Sequence, residues 1–459
     1  MGSDIVRVLR DRLPAACVIT DRDVMASYRY DRAMLCDAGW PAAVVLARST
    51  EQVATTLSAA SELRVPVVPQ GARSGLSGAA NAIDGGIVLS LEKMNKILEV
   101  DVPNRLVVTQ PGVFNAELSR AVASEGLFYP PDPSSWEFCS IGGNLATNSG
   151  GLCCVKYGVT TDYVLALEVV LASGEVLRTG RRTVKGVAGY DLTRLFVGSE
   201  GTLGVITEAT LSLRPEAQRP LTVAAVFPDT ESACAAISAV VAAGLVPSLL
   251  EFMDQTSVRA VNDSFQMGIS DDAGALVLAQ SDSGPARAPQ ELKAIAGICE
   301  SAGAFEVAIA DDPQEGDLLL AARREVLTAF EKLGTTMIDD VCVPRDRLAR
   351  LVAGIDAIAR SSGLTIGVVG HAGDGNFHPT VVFNQHDPAQ VRAAKEAFDD
   401  VMVLSLELGG TITGEHGVGI LKKALLAREV GDLSMRIHAD IKRALDPLGL
   451  LNPGKVFDF

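Results

Sequence analysis

The sequence predicts an α+β protein of two domains that differ in the spacing of their apolar residues. From residue 39 to residue 215, short apolar runs alternate with glycine-dense turns, which is typical of strands joined by tight turns. After residue 216, apolar runs alternate with longer segments that carry apolar residues at helical spacing. We therefore expect a first domain over 1–215 with its core at 39–215, a second over 216–450, and a segment 451–459 that returns to the first.

The first domain begins with the signals of a strand, a helix and a second strand. The strand 43–47 precedes Ser49 and Gln52, which form a capping box for a helix over 50–62. An apolar strand over 65–69 follows, and this order is an α/β signature. Further elements of this domain are expected at 5–13 (helix) and at 86–90, 105–109 and 166–171 (strands).

The second domain is predicted to hold most of the helix. Its expected strands are 221–227, 248–252, 364–370 and 377–383, and its expected helices are 229–243, 312–333, 345–361, 387–408 and 433–445. We interpret it as an α+β cap domain that binds the substrate.

Composition and charge narrow the class of protein. A chain of 459 residues, 48% apolar and 21% charged, is long enough to bury more than one core. The net charge of −16 argues against a nucleic-acid partner, because such partners are bound by Lys and Arg at their phosphates. An ordinary globular enzyme is the expectation.

The eight cysteines form no CxxC pair and no disulfide-like spacing. We predict reduced thiols and no cysteine-ligated iron-sulfur cluster, so an electron relay would have to lie on another protein. No signal-peptide pattern opens the chain, and no run of about 18 apolar residues could cross a membrane. A cytoplasmic protein without a transmembrane segment is therefore expected.

Two glycine-dense segments, 69–78 and 141–151, stand out in the first domain. Glycine permits positive φ and close backbone approach, so successive N–H groups in such loops can converge on a diphosphate. Neither segment is GxxxxGK[ST] or GxGxxG, which disfavours a P-loop nucleotidase and a Rossmann nicotinamide site. Taken alone, the segments could equally be turns between strands.

The first half of the chain resembles the FAD domain of the para-cresol methylhydroxylase type, which vanillyl-alcohol oxidase and D-lactate dehydrogenases share. The match runs from about Gly39 to Pro215, with its motifs in the family's order. They are 69–78, Pro131-Asp132-Pro133, 141–151, Tyr157-Gly158, Tyr190-Asp191-Leu192 and 197–207. Since no histidine precedes His371, a histidyl-FAD bond in this domain is excluded. A thioether to Cys153 or Cys154 is the alternative, but we interpret both as buried structural thiols. The resemblance thus implies non-covalent FAD.

The resemblance also implies the cofactor contacts. The first loop would carry the pyrophosphate, and the other segments would line the adenosine and the isoalloxazine. The implied residues are Pro69, Gly71, Arg73, Ser74, Gly75, Leu76, Ser77, Pro131, Asp132, Ser140, Gly142, Gly143, Asn144, Thr147, Asn148, Gly150, Gly151, Tyr157, Gly158, Glu200, Gly201, Gly204, Val205, Ile206 and Asn452.

Three of the five histidines fall in two short motifs of the second domain, 371–378 and 414–419. Asp374-Gly375 is a favoured two-residue hairpin turn. With that turn at the centre, His371 would pair directly with His378, and their Cβ atoms would lie about 5 Å apart on one face. Such a pair suits chelation of one cation.

Glu415 offers a third, oxygen ligand for the same ion. Two imidazoles and a carboxylate with an open position are typical of a catalytic zinc or a similar divalent ion. A purely structural histidine pair is the alternative. His416 cannot easily bind the same ion, because neighbouring side chains in extended chain diverge, and it is available as a base. His386 and His438 lie outside these motifs and are expected on the surface.

These two motifs resemble the GDGNxH and GEHGxG signatures of the FAD-linked D-lactate, D-2-hydroxyglutarate and glycolate dehydrogenase family. With the FAD half, the resemblance covers residues 39–457. It implies that His371, His378 and Glu415 hold a divalent metal, with zinc favoured, and that His416 takes the hydroxyl proton of the substrate. It further implies that Arg324 clamps the substrate carboxylate, with Arg323 as a competitor, and that Asn376 and Lys422 contact substrate or flavin.

The expected function is FAD-dependent oxidation of a D-2-hydroxy acid to the 2-keto acid. A D-lactate-like substrate is favoured, because Ile338 stands where D-2-hydroxyglutarate enzymes tend to carry a lysine. The reduced flavin would pass its electrons to an external quinone, cytochrome or electron-transfer flavoprotein. The alternatives are a D-2-hydroxyglutarate or glycolate dehydrogenase, a flavin transferase like alkylglycerone-phosphate synthase, and a metal-dependent hydrolase. The oligomeric state stays open, with a homodimer as one option.

Overall fold

The computed structural model describes residues 2–310 and 312–458, with side chains described from residue 4 onward. Its contacts divide the chain into two compact units. The first comprises the described parts of Met1–Gly150, Val159–Glu216 and Glu415–Phe459, and the second comprises those of Gly151–Gly158 and Ala217–Gly414. The stretch 415–450, which we expected in the second domain, thus belongs to the first unit, and 151–158 belongs to the second.

The strands are given in chain order. They are β1 (Val18–Ile19), β2 (Ala43–Leu46), β3 (Val67–Gln70), β4 (Ile87–Ser90), β5 (Ile97–Asp101), β6 (Leu106–Thr109), β7 (Leu127–Phe128), β8 (Val164–Val170), β9 (Val176–Gly180), β10 (Val205–Ser212), β11 (Arg214–Pro215), β12 (Leu221–Phe227), β13 (Leu249–Asp254), β14 (Ala275–Ser281), β15 (Glu306–Ile309), β16 (Thr335–Ile338), β17 (Val341–Cys342), β18 (Thr365–His371) and β19 (Asn376–Phe383).

The α-helices follow in the same order. They are α1 (Gly2–Arg12), α2 (Arg22–Ala26), α3 (Thr50–Leu63), α4 (Asn115–Ala123), α5 (Ile141–Thr147), α6 (Cys154–Tyr157), α7 (Thr193–Phe196), α8 (Thr230–Ala242), α9 (Gln255–Phe265), α10 (Ala288–Ser301), α11 (Pro313–Arg324), α12 (Val326–Leu333), α13 (Leu348–Ser362), α14 (Pro388–Glu407), α15 (Lys423–Val430) and α16 (Asp432–Leu445). Short 3₁₀ turns lie at Ala15–Cys17, Thr160–Tyr163 and Arg345–Arg347.

The first unit contains a small mixed sheet in the order β1-β2-β4-β3, whose strands β2, β4 and β3 are parallel. The capping signal before α3 is confirmed, since the Ser49 hydroxyl accepts the Gln52 N–H and the Gln52 amide oxygen accepts the Arg48 N–H. The parallel strands are apolar and buried, as Ile87 and Leu89 show. β3 is therefore held as the edge strand of this sheet by its pairing with the buried β4.

A second sheet of the first unit is antiparallel, in the order β5-β6-β10-β8-β9. The C-terminal segment returns to the first unit and pairs in parallel with the start of β3, because the Val67 N–H donates to the Leu450 oxygen and the Asn452 N–H to the Val67 oxygen, both at 2.8 Å. The buried Lys442 ammonium donates to the backbone oxygens of Thr202 and Leu451, at 2.6 and 2.8 Å. The end of the chain is thereby fixed against the first unit.

The second unit is built on one antiparallel sheet in the order β15-β12-β14-β13-β18-β19-β16, with β17 paired to β19. Its centre is apolar and closely packed: the Phe252 ring stacks on that of Phe377 at 5.1 Å between centroids. The single helix that we expected over 312–333 is divided at Glu325 into α11 and α12. The sheet centre, β13-β18-β19, carries the histidine motif.

All eight cysteines are thiols, as the sequence predicts. Among the described residues, no helix is long and apolar enough to cross a membrane.

The buried carboxyl of Asp254 is expected to make the free energy of unfolding depend on pH. It caps α9 by accepting the Ser257 N–H at 2.8 Å, and burial raises the pKa of its carboxyl to about 6. Because the folded pKa exceeds the unfolded one, wild-type stability is full below the unfolded pKa and falls as the pH rises through about 6. Asp254→Asn keeps a capping oxygen without the charge. Its free energy of unfolding relative to wild type should therefore rise by on the order of 2 kcal/mol from about pH 4 to about pH 7.

Denaturant unfolding at both pH values checks this expectation. Asp229, which caps α8 through the Ser232 N–H at an exposed position, provides the matched control in Asp229→Asn. An Asp254→Asn difference that stays constant with pH would contradict the assignment.

Candidate functional site

A backbone cradle in the first unit forms around the Ser140 hydroxyl. This oxygen accepts the N–H groups of Ala72 at 3.2 Å and Gly143 at 3.3 Å, so it joins the loop after β3 to the start of α5. A Cβ on Gly71 would lie 2.4 Å from the same oxygen, so a side chain there would displace the Ser140 hydroxyl. The two glycine-dense segments predicted to bind a diphosphate are thus neighbours in space.

Buried polar atoms on these segments fit a bound cofactor. The hydroxyl oxygens of Ser77 and Ser149 and the amide oxygen of Asn452 are buried and have no hydrogen-bond partner among the described residues. Buried polar groups are nearly always bonded, so these atoms are suited to a polar ligand. All three lie on or beside the motifs that the resemblance assigns to FAD. The residues present therefore fit an FAD molecule held without a covalent bond.

The cradle loop is fixed from behind by Lys455 and Asn452. The Lys455 ammonium donates to the backbone oxygens of Gly78 at 3.1 Å and Asn81 at 2.7 Å, and burial lowers the pKa of this lysine to about 8. The Asn452 amide donates to the oxygens of Ala79 at 2.9 Å and Glu200 at 2.8 Å. The C-terminal segment therefore shapes the predicted pyrophosphate loop.

Glu200 lies beside this loop with a fully buried carboxylate. Its two oxygens accept the N–H groups of Val418 at 2.7 Å and Gly419 at 2.9 Å. Burial raises the pKa of Glu200 to about 7, although these two donors and the charge of Lys455 oppose the shift. The predicted cofactor turn thus contacts the chain that follows His416.

The expected cofactor residues divide between the two units. The first unit holds Pro69, Gly71, Arg73, Ser74, Gly75, Leu76, Ser77, Pro131, Asp132, Ser140, Gly142, Gly143, Asn144, Thr147, Asn148, Gly150, Glu200, Gly201, Gly204, Val205, Ile206 and Asn452. Gly151, Tyr157 and Gly158 belong to the second unit, where the Tyr157 hydroxyl donates to the Asp282 carboxylate at 2.5 Å.

The histidine hairpin of the second unit has a register two residues away from the predicted one. His371 pairs with Asn376, and His378 pairs with Val369, because residues 372–375 form a four-residue turn. The turn closes through the Gly375 N–H to the His371 oxygen at 3.1 Å, with Gly375 at a φ of +82°. The predicted two-residue turn is therefore wrong.

The slip nevertheless keeps both imidazoles on one face of the sheet. Side chains alternate with a period of two, so a shift of two residues leaves their faces unchanged. His371 and His378 become diagonal neighbours instead of direct partners, and their ring centroids are 5.1 Å apart. Both side chains are buried. The proximity that the sequence predicted is confirmed, although its register is not.

Glu251 on β13 orients His371. Its carboxylate lies 2.6 Å from His371 Nδ1 and accepts from Arg323 Nε at 2.8 Å. Burial favours the neutral acid, but the charges of His371 and Arg323 hold the pKa of Glu251 below its ordinary value. A carboxylate on Nδ1 is the usual support of a metal-binding histidine, because it directs Nε2 towards the ion.

The structure does not bring Arg324 to the histidines, in contrast to its expected role. Its guanidinium pairs with Asp317 at 3.1 Å, and both side chains are mostly exposed. The physical reason is the helix, in which consecutive side chains point about 100° apart. Since Arg323 faces Glu251 on the sheet, Arg324 points to solvent.

Asp340 connects the hairpin to the chain that leads into the second motif. Its carboxylate accepts from the Asn376 amide, the Thr413 hydroxyl and the Gly414 N–H, each at 2.8 Å. His378 Nδ1 lies 3.8 Å from the same group. Asn376, expected to contact substrate or flavin, thus positions Asp340. Gly414 is the last residue of the second unit, and Glu415 and His416 follow it directly in the chain.

His386, His438 and Lys422 lie outside the histidine hairpin. His386 and His438 are exposed, as expected. Lys422 is buried in the first unit, where its backbone N–H donates to the Val418 oxygen at 3.1 Å. Sequence reasoning missed Glu251, because it lies 120 residues before His371 and belongs to no motif. Asp340 opens the segment Asp340-Val341-Cys342-Val343-Pro344, whose DVxxP pattern was the one available signal for that carboxylate.

Two protein-family models match the chain. The model described as "FAD binding domain" matches residues 41–180, and the model described as "FAD linked oxidases, C-terminal domain" matches residues 215–456. The second match alone spans more than half of the chain.

Known proteins are similar over nearly the whole length. The chain is 42% identical to the glycolate oxidase subunit GlcD of Bacillus subtilis (91% of this chain, 89% of that protein) and 34% identical to a D-lactate dehydrogenase of Anaerostipes hadrus (99% and 97%). Among solved structures, p-cresol methylhydroxylase with bound substrate aligns with a TM-score of 0.82 at 16% identity (99% and 97%), which shows the fold.

The expected α+β fold with an FAD domain of the p-cresol methylhydroxylase type is confirmed. The chain belongs to the FAD-linked oxidase family, and the protein is an FAD-linked oxidoreductase of the glycolate oxidase and D-lactate dehydrogenase type.

Proposed function

We propose that the protein oxidises a short 2-hydroxy monocarboxylate, D-lactate or glycolate, to the 2-keto acid. The observation that carries this proposal is the buried pair of His371 and Glu251 beside His378. The relatives named glycolate oxidase subunit and D-lactate dehydrogenase support the substrate class. Ile338, at the end of β16, supports a monocarboxylate because it offers no charge to a second carboxylate.

In this proposal His371, His378 and Glu415 hold a divalent ion, for which zinc is favoured by the nitrogen and oxygen ligands. The ion, when bound, would act as a Lewis acid that lowers the pKa of the substrate hydroxyl. Glu251 fixes the ring of His371, and Arg323 balances the charge of Glu251. The hydrogen bond between Gly414 and Asp340 supports Glu415 as a ligand, since Glu415 is the next residue along the chain.

His416 would take the hydroxyl proton, as a neutral imidazole can at physiological pH. The cradle around Ser140 would hold FAD, which would supply the two-electron acceptor for the oxidation of the substrate. An external acceptor, such as a quinone, a cytochrome or an electron-transfer flavoprotein, would then receive the electrons. The cysteine arrangement supports an external relay, since no CxxC pair occurs in the sequence.

Anaerobic bleaching of the flavin tests the substrate. Stoichiometric D-lactate or glycolate should remove the flavin absorbance near its visible maximum, whereas L-lactate and D-2-hydroxyglutarate should do so much more slowly. The measurement is stopped-flow absorbance with the purified holoenzyme. Dithionite serves as the control for a reducible flavin. Fast bleaching by D-2-hydroxyglutarate or L-lactate alone would contradict the proposed substrate class.

Metal removal tests the role of the histidines. Chelation should lower turnover about 100-fold or more while the flavin stays bound, because a Lewis acid contributes several kcal/mol to the barrier. Added Zn²⁺ should restore activity, and His371→Ala should bind less zinc by elemental analysis. His386→Ala, at an exposed position, is the matched control. Full turnover of metal-free protein would refute the metal role.

The adjacent arginines of α11 offer a paired test. Arg323→Ala should lower kcat/KM about 10- to 100-fold with FAD retained, because it removes the partner of the carboxylate that orients His371. Arg324→Ala should change kcat/KM less than about 2-fold, since an exposed ion pair contributes little. Steady-state kinetics of both variants decide the matter. The opposite ranking would return the substrate-binding role to Arg324.

A further inference from the structure

We propose that Glu200 is a positioning residue, which fixes the segment of Glu415 and His416 through the N–H groups of Val418 and Gly419. The inference rests on the proposed function, because it concerns the metal ligand and the base named there. It adds a role for a turn that the family resemblance assigns to the cofactor alone. The cofactor turn and the catalytic segment would then form one rigid element.

The hydrogen bonds of Glu200 are the first support. Each carboxylate oxygen accepts one backbone N–H, from Val418 at 2.7 Å and from Gly419 at 2.9 Å. These residues follow His416 at two and three positions along the chain. Both oxygens are therefore directed to the protein backbone, in the geometry of a charge-assisted pair. A side chain used only for the cofactor would not need this arrangement.

The backbone of Glu200 is the second support. Its φ is +49°, a left-handed conformation that disfavours side chains other than glycine. The Glu200 N–H donates to the Ala146 oxygen at 2.8 Å, and its own oxygen accepts from the Asn452 amide at 2.8 Å. Glycine would take this φ without strain, so the carboxylate is the feature that requires glutamate here. Strain of this kind is typical of functional positions.

The third support is Gly417, which belongs to the segment that Glu200 binds. Its φ is +85°, and a Cβ would lie 2.9 Å from Glu200 Cδ and 3.0 Å from both carboxylate oxygens. The residue directly after His416 is thus packed so closely against the carboxylate that a side chain at this position would displace it. Contact of this kind transmits any displacement of Glu200 to the neighbouring histidine.

The predicted cofactor loop binds the same segment one and two residues further along the chain. The backbone oxygen of Ser77 accepts the N–H groups of Ile420 at 2.8 Å and Leu421 at 3.2 Å. Residues 418–421 are therefore hydrogen-bonded to two segments that are both predicted to carry FAD. This arrangement gives FAD binding a direct structural connection to the residues that precede Gly417.

Two substitutions separate positioning from other roles. Glu200→Gln preserves the shape of the side chain, but only one atom of its amide can accept a hydrogen bond. The amide NH₂ group would therefore face one of the two backbone N–H donors. Glu200→Gly removes the carboxylate and relieves the backbone strain, so it should fold even if the glutamine variant does not. Glu208→Gln, at a half-buried glutamate of β10, is the matched control.

Three readouts are measured on the holoenzymes: FAD content, the rate constant of anaerobic flavin reduction by D-lactate or glycolate, and hydrogen exchange of the peptide over 415–421. We expect full FAD content and normal reduction by dithionite. The reduction rate should fall about 10- to 100-fold, with a shift of its pH profile, as for other supports of metal ligands and bases. Exchange should rise in 415–421 and stay unchanged elsewhere.

The outcomes are distinct. If both variants keep the wild-type reduction rate and exchange, Glu200 does not position the segment. If they lose FAD in proportion to activity, Glu200 is a cofactor ligand and the proposal is overturned. If wild type itself is not reduced by either acid, the proposed function fails, and faster exchange in 415–421 of the variants still supports the positioning.

Discussion

The Glu251 carboxylate is fully buried, and such a charge is stable only when hydrogen bonds and opposite charges replace the water it has lost. One oxygen meets His371 and the other meets Arg323, which brings β13, β18 and α11 to one point. Glu251 lies on β13 and pairs with His371 on β18 at the centre of the sheet of the second unit. The orientation of His371 depends on it, and so does the division of α11 into one inward and one outward arginine.

The same constraint recurs at two other carboxylates. Asp340 gathers Asn376, Thr413 and Gly414, so that the end of the second unit is fixed beside His378. Glu200 accepts two N–H groups just after His416. Each acid binds backbone or side chains from segments far apart in the sequence. The residues proposed for chemistry therefore lie close to carboxylates that several hydrogen bonds hold in place.

The sequence was informative where chemistry depends on local motifs. The glycine-dense segments identified the cofactor half, and the Ser140 cradle shows why they act together: one hydroxyl accepts from both. The strands and helices with clear periodicity, such as α3, β12 and α14, lie within about two residues of their expected bounds. The extents of the domains could not be read this way, because no local signal marks residue 415 as the start of the returning chain.

The sequence by itself determined that His371 and His378 share one face of a hairpin, because side chains alternate along a strand and a turn of two or of four residues leaves both on the same face. Only the tertiary structure decided the register, since residues 372–375 close a four-residue turn through Gly375. Only tertiary packing selected Arg323 over Arg324, because the helix can present one of two neighbours to Glu251. Long-range partners such as Glu251 leave no trace in local sequence, since their bonds form only when distant strands meet in the sheet.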